Sequence, residues 1–238
     1  MPTTLFSSLE EKDKNTAVEK IIEQSTPRHD FFLMMTLSVL MATFGLLLNN
    51  VAVIIGSMLI APILSPLMSV SLGVTMADSK LIWRSTFTIL KSLIIVIPAA
   101  AVVTLLFLTF AEIGIDYNTE IISRTEPSVI FAAIALVAGL AASFAMIKPQ
   151  LNEALPGVAI SVALIPPLAV TGIGLAFLNW TIISRSFVVF LINAVMIVFA
   201  SLIIFSLMRM YSKRPIADKV VREEDAKLEQ EKAKEENK

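Results

Sequence analysis

Six apolar runs alternate with short polar breaks along this chain, and their lengths predict transmembrane helices. They cover residues 31–48, 51–76, 92–110 (with Thr88 as an alternative start), 128–147, 155–178 and 187–207. Each is close to the roughly 20 residues a helix needs to cross a hydrocarbon core of about 30 Å. Backbone amides find no water in that core, so the runs must be helical rather than open strands. Polar and apolar residues do not alternate as the wall of a membrane barrel requires. Only Asn49 and Asn50 separate the first two runs, which predicts a tight antiparallel hairpin, and the longest loop, 112–127, is acidic and turn-like.

Composition sharpens this picture. Apolar residues make up 56% of the chain and charged residues 16%, where a soluble domain carries about a quarter charged residues. The charges gather before Asp30 and after Met208. Three parts follow: a cytoplasmic amphipathic, charged segment at 1–30, a six-helix transmembrane domain at 31–208, and a charged cytoplasmic tail at 209–238. In the first, Leu9, Val18, Ile21 and Ile22 sit among charges, the pattern of a short amphipathic helix on the membrane surface. The tail after Pro215 ends EEDAKLEQEKAKEENK. It reads as a solvated helix or as disorder. A partner-binding coiled coil is the alternative, although a sustained apolar heptad is missing. The first apolar run follows a long charged segment, so no cleavable signal peptide is expected. The chain has no cysteine, which removes disulfides and thiolate metal sites.

Six spans put both termini on one side, together with the loops around Lys80 and Lys148. That side carries Arg28, Lys80, Arg84, Lys148, Arg209, Lys213 and Arg214 near the membrane, and the other carries Arg124 and Arg185. Basic residues in short flanking segments stay in the cytoplasm. Both termini are therefore expected there, with the chain in the cytoplasmic (inner) membrane. Lys91 falls at the cytoplasmic end of the third span, where its stem either snorkels toward water or carries a functional buried charge.

The second and fifth runs each hold a proline pair near the midpoint, Pro62 with Pro66 and Pro166 with Pro167. A proline donates nothing to the carbonyl four residues back and pushes it aside. Pro62 should free the carbonyl of Met58, Pro66 that of Pro62, and the second pair those of Val162 and Ala163. Such acceptors need protein, water or an ion as partner. In the register that sets Pro62 on Pro166, Ser57 meets Ser161 and Leu64 meets Leu168. Each segment is the middle of a three-helix unit, so the two units would be inserted with opposite orientation. Paired broken helices in two inverted halves point to a transport site. The plainer alternative is that the prolines only kink two helices. Ser57, Ala61, Ser65, Ser69 and Gly73 form one small, partly polar face, and Gly157, Ser161, Ala169 and Thr171 a less regular one. Such faces serve close packing, as Ala135, Gly139 and Ser143 do on the fourth helix, or line a polar path.

Four stretches carry a family likeness: GLLLNNVAVIIGSMLIAPILSPLM from Gly45, RTEPS from Arg124, LPGVAISVALIPPLAVTGIGLA from Leu155, and FLIN from Phe190. Together they resemble the prokaryotic uncharacterised hydrophobic domain family, domain of unknown function 389, over residues 37–207. The resemblance implies a polytopic bacterial or archaeal membrane protein and supplies no catalytic residues. Its motif positions are Asn50, Gly56, Pro62, Pro66, Arg124, Thr125, Pro127, Ser128, Pro156, Gly157, Pro166, Pro167 and Asn193. In RTEPS, Thr125 or Glu126 is expected to cap the fourth helix, with Pro127 in its first turn. Arg124 either pairs with Glu126 on the surface or guards an external vestibule. Asn193, inside the sixth helix, needs a partner, either another helix or a ligand.

An enzyme is not expected. His29 is the only histidine, and no HExxH or Walker sequence is present. No apolar core holds a central Asp or Glu, which argues against proton-coupled carriers and intramembrane aspartyl proteases. Rim groups such as Arg124, Glu126 and Glu153 would have to serve any coupling.

The fold expectation is an all-α integral membrane bundle of six transmembrane helices, a 3+3 inverted repeat whose second and fifth helices are proline-broken. The function expectation is a transporter-like or channel-like protein for a small solute or ion. Its path candidates are Ser57, Met58, Pro62, Ser65, Pro66, Ser161, Val162, Ala163, Pro166, Pro167, Thr171 and Asn193. The external rim candidates are Asn50, Arg124, Thr125 and Glu126. The alternative is a membrane scaffold or sensor whose charged tails bind partners. The lipid bilayer is the expected surrounding and homo-oligomers are compatible with the small-residue faces. No cofactor, metal or nucleic acid is expected.

Overall fold

The computed structural model describes residues 11–111, 117–148, 150–151 and 164–236, which are mostly helical with no strand among them. In chain order the helices are α1 (Glu11–Gln24), α2 (His29–Leu47), α3 (Val51–Ile60), α4 (Leu64–Thr75), α5 (Ser79–Ala111), α6 (Thr119–Ser123), α7 (Val129–Ile147), α8 (Ile165–Ala176), α9 (Trp180–Leu207) and, after a 3-10 turn at Met210–Lys213, α10 (Arg214–Glu236). Among the described residues, α2, α5, α7 and α9 are long and apolar enough to cross a membrane. Helices α3 and α4 make a fifth span if taken together, bent by 48° at their junction. The first part of the fifth apolar run, with Pro156, Gly157, Ser161, Val162 and Ala163, lies outside the described residues. Outward faces carry Leu33, Phe87, Ile94, Phe110, Val129 and Trp180, each more than half exposed. A large apolar exterior of this kind belongs against lipid. The protein is a multi-pass membrane bundle.

Helix α8 stands at the centre. Every residue from Ile165 to Gly174 is buried, and the helix packs against α2, α5 and α9. An element apolar all round has no solvent face to lose and suits that place. Its approach to α5 is very close: a Cβ on Gly172 would lie 2.4 Å from the Ala100 methyl and 2.7 Å from the Ile97 carbonyl. Helix α7 lies on α9, with the Ser143 hydroxyl donating to the Ser201 hydroxyl at 2.7 Å.

Three helix hairpins share one turn. Gly45, Gly73 and Gly174 sit in the last turns of α2, α4 and α8. Asn49, Ala77 and Leu178 then take positive φ, and Asn50, Asp78 and Asn179 follow. The amides of those last three residues return to the glycine carbonyls at 2.7, 2.8 and 2.9 Å, closing orphan carbonyls at each helix end. The same three side chains then cap α3, α5 and α9, accepting from Val53, Leu81 and Ile182. Glycine is required because a Cβ there would meet the next helix, about 3 Å from the amide nitrogens of Ile54, Ile82 and Ile183.

These caps move two boundaries. The third span starts at Ser79 rather than near Ser92, and the sixth at Trp180 rather than Phe187. Hydropathy hides the starts because Lys80, Arg84 and Lys91, and likewise Arg185, ride on continuous helix. The Lys91 ammonium lies 4.7 Å over the Phe32 ring, in the first turn of α2, so its stem reaches toward the end of the bundle. In the fourth span the cap is Ser128, which accepts from the Ile130 amide at 3.2 Å. Thr125 and Glu126 do not cap it, and Pro127 precedes the helix, because Ser128 is the residue that holds the extended backbone.

The terminal segments also differ from expectation. The apolar face of α1 (Ala17, Val18, Ile21 and Ile22) is buried against Met68, Leu72, Ile147 and α10 instead of lying on a membrane surface. The tail is helical, one of the two expected states, but its first half is packed rather than solvated, with Ala217, Val220 and Val221 in the same cluster. Three small apolar residues on one helical face suffice when a matching face is waiting, and no heptad is needed.

Gly172→Ala is expected to destabilise the bundle by about 1–3 kcal/mol, the usual cost of overpacking. Gly56→Ala, whose added methyl meets only the flexible end of Met41, is expected to be neutral or stabilising. Thermal unfolding of the two variants in the same detergent checks both outcomes.

Candidate functional site

Among the described residues, the break between α3 and α4 is the most irregular point within a span. Pro62 disfavours helical backbone at the residue before it, and Ala61 is accordingly extended, at φ −76° and ψ 120°. Pro62 also brings no N–H to the Met58 carbonyl, so α3 stops at Ile60. Pro66 has a different part from the one its sequence position suggests. It lies in the first turn of α4, where a missing amide is harmless, and does not break anything. Pro166 and Pro167 likewise open α8, directly after Ile165. One proline makes the break and the other three start helices.

A cleft of about 550 Å³ opens at this break. Ala61, Pro62, Leu64 and Ser65 form one wall. Lys20, Glu23 and Gln24 of α1 face them, joined by Arg28, Asp30 and Phe31 around the start of α2. The Ser65 hydroxyl donates to the Gln24 side-chain oxygen at 2.9 Å, tying α1 to the break. The hydrophobic cluster below contains Met58 and Ile63 together with Leu164, Ile165 and Leu168, so the two proline-bearing segments do meet, through apolar side chains.

The other path candidates are spread over separate contacts. Ser57 is fully buried. Its hydroxyl donates to the Ile54 carbonyl at 2.6 Å, and its own carbonyl accepts from Ser38, also at 2.6 Å. The Thr171 hydroxyl bonds the Pro167 carbonyl at 2.8 Å and pairs with Ser186 at 2.9 Å. The Ser85 hydroxyl donates to the Ser69 hydroxyl at 2.7 Å. These are contacts within or between packed helices, with Ser65 as the candidate hydroxyl that reaches the cleft. Asn193 is buried in α9 and is not part of the cleft wall. Ser161, Val162 and Ala163 lie outside the described residues.

The rim residues lie at the opposite end. Asn50 caps α3. Arg124 pairs with Glu120 at 3.4 Å rather than with Glu126, because one turn of α6 separates it from Glu120. The Thr125 hydroxyl donates to the Ile122 carbonyl at 2.7 Å, and Glu126 is exposed. The loop is stapled to both hairpins there: Asn118 donates to the Leu46 carbonyl at 2.6 Å, and Asn179 donates to the Tyr117 hydroxyl at 3.3 Å.

Sequence reasoning missed the α1 wall of the cleft, namely Lys20, Glu23 and Gln24. The available signal was the polar face of that amphipathic helix, which has to point somewhere once the apolar face is buried. Cysteines at Ser57 and Thr171 are expected to stay unreactive toward a water-soluble maleimide, while Ala61→Cys on the cleft wall reacts. Mass spectrometry of labelled proteoliposomes, with core-packed Leu47 and outward-facing Phe199 as further apolar controls, checks this.

The family described as a domain of unknown function (DUF389) matches residues 58–199, which include the break, the loop and both proline pairs. An uncharacterized protein of Methanocaldococcus jannaschii is 32% identical over 216 residues, covering 86% of this chain and 65% of the relative. This chain thus spans about two thirds of the length of that relative. No solved structure matches. By the family match, which covers more than half of its residues, the chain belongs to the family of the domain of unknown function DUF389.

Proposed function

We propose that this protein passes a small solute or ion across the cytoplasmic membrane, through the cleft at the Ala61–Leu64 break. The observation that carries the reading is the break itself, interrupted helix facing a cleft with charged side chains in its wall. Irregular backbone inside a membrane bundle is tolerated where it lines a cavity. In this reading the chain has six spans and both termini are cytoplasmic. The supporting geometry is that α1 packs on α10 and on α4, so the termini gather at one end. That end carries Arg28, Lys80, Arg84 and Lys213, and basic residues mark the cytoplasmic side.

The two halves are arranged as an inverted repeat in a register different from Pro62 on Pro166. The shared turns set Gly73 on Gly174 and Asp78 on Asn179, and the same register sets Pro66 on Pro167 and Ser85 on Ser186. Ser85 and Ser186 are both hydroxyl-bonded to the preceding half-helix, to Ser69 and Thr171. The protein catalyses no reaction in this reading, and no cofactor enters it.

A scaffold or sensor role is the second reading, and the exposed, charged end of α10 favours it. Stopped-flow light scattering of proteoliposomes separates the two. Vesicles with the protein, challenged with salts and small neutral solutes, are expected to relax several-fold faster than empty ones for at least one solute. Ala61→Trp, which fills the cleft, should remove the difference. Relaxation equal to that of empty vesicles for every solute sinks the transport reading.

A further inference from the structure

Helix α1 has two occupied faces. Its polar face, through Lys20, Glu23 and Gln24, forms a wall of the cleft, and Gln24 holds the hydroxyl of Ser65. Its apolar face is buried between the bundle and α10. A helix of 14 residues is marginal by itself in water, so its position depends on what grips it. The grip comes from α10. Val220 and Val221 complete the apolar cluster. Glu224, 1% exposed, takes the Arg28 guanidinium at 2.6 Å, and Asp225 takes Arg84 at 3.0 Å and Lys80 at 3.5 Å. Lys213 pairs with Glu11 at the other end of α1. Arg28 follows α1 directly, so the Glu224 pair fixes the link between the cleft wall and the first span.

We propose that α1 is a lid on the cleft and α10 the strap that holds it shut. The inference rests on the solute-path reading for its purpose, and on the contacts just described for its mechanics. The strap is strong but incomplete. Arg28 Nε and Arg84 Nη1 are buried and find no acceptor among the described residues. Removing the carboxylates of α10 leaves two guanidinium groups without their counter-charges in a half-buried site. That state is relieved by separation of the helices and hydration, since an unpaired charge is not tolerated in place. Separation of α10 uncovers Val18, Ile21 and Ile22, and with them the seat of Gln24 on Ser65.

The test uses the natural lack of cysteine. Ser65→Cys is nearly isosteric and places one thiol under Gln24. In the full-length protein in proteoliposomes it is expected to react with a water-soluble maleimide much more slowly than Ala77→Cys, in the exposed turn between α4 and α5. Adding Glu224→Gln and Asp225→Asn should accelerate the Ser65→Cys reaction at least about tenfold, the local-opening signature of a broken buried pair. Ending the chain after Pro215 should do the same, and it guards against a charge variant that merely rearranges. The swapped pair Arg28→Glu with Glu224→Arg should restore slow labelling. The lid is overturned if Ser65→Cys already reacts as fast as Ala77→Cys, or if neither the charge variant nor the truncation accelerates it. Labelling needs no flux. A lid that opens in a protein passing no solute therefore fails the path reading alone, and a conducting protein with constant labelling fails the lid alone.

Discussion

In a bundle whose outside is apolar, every backbone and hydroxyl group must find its partner within the protein. That constraint organises most of what is seen here. It explains why the hydroxyls of Ser57, Ser71 and Thr171 donate to carbonyls and that of Ser69 accepts from Ser85. It also explains the three repeated turns, where one residue closes the carbonyls of the finished helix and caps the amides of the next. A hairpin built this way leaves little polar backbone to solvate, so it can sit at a membrane edge with an apolar neighbour.

Against that background the α3–α4 junction stands out. Pro62 removes one donor and Ala61 leaves helical geometry, so the carbonyl end of α3 meets the amide end of α4 without continuous pairing. The structure answers with a cleft and a polar helix beside it, not with more apolar packing. Ser65 is the one member of its small-residue stripe that bonds outside the spans, to Gln24 of α1. Ala61 lines the cleft beside it, and packing explains Ser57, Ser69 and Gly73. A stripe read from spacing alone therefore contained two kinds of residue that spacing cannot separate.

The helical class, the first hairpin and the neighbourhood of the two proline segments were legible in the sequence, because each rests on long apolar runs or on proline, which act locally. Helix starts were less legible. Asp78 and Asn179 cap helices that carry charge within their first two turns, Lys80 and Arg84 in one and Arg185 in the other, and hydropathy registers only the apolar remainder. The roles of single prolines were illegible for a related reason: Pro62 and Pro66 look alike in sequence, yet one follows a helix and the other opens one. The order in the tail was hidden because it depends on long-range partners. Ala217, Val220 and Val221 mean little until α1 offers Ala17, Val18, Ile21 and Ile22. Arg124 shows the same limit, since its acid, Glu120, belongs to a short helix that no apolar run announces.

The two ends of the bundle are held by different forces, and this locates its freedom to move. At the end with Asn50 and Arg124, short hydrogen bonds to backbone carbonyls, such as Asn118 on Leu46, tie loop to hairpin. Such bonds are local and insensitive to salt. At the other end the ties are ion pairs between separate helices, several with one partner more than one third exposed, as with Asp225 and Lys80. Charges in that position are screened within about a nanometre at physiological ionic strength, and one apolar cluster supplies the remaining grip. Opening thus costs least where α1 and α10 lie, and that is the end at which the cleft opens. On the proposed solute path, a bundle stiff at one end and latched by charge at the other would admit a solute by moving its terminal helices, which gives the break in the second span and the ordered tail a single physical reason to coexist.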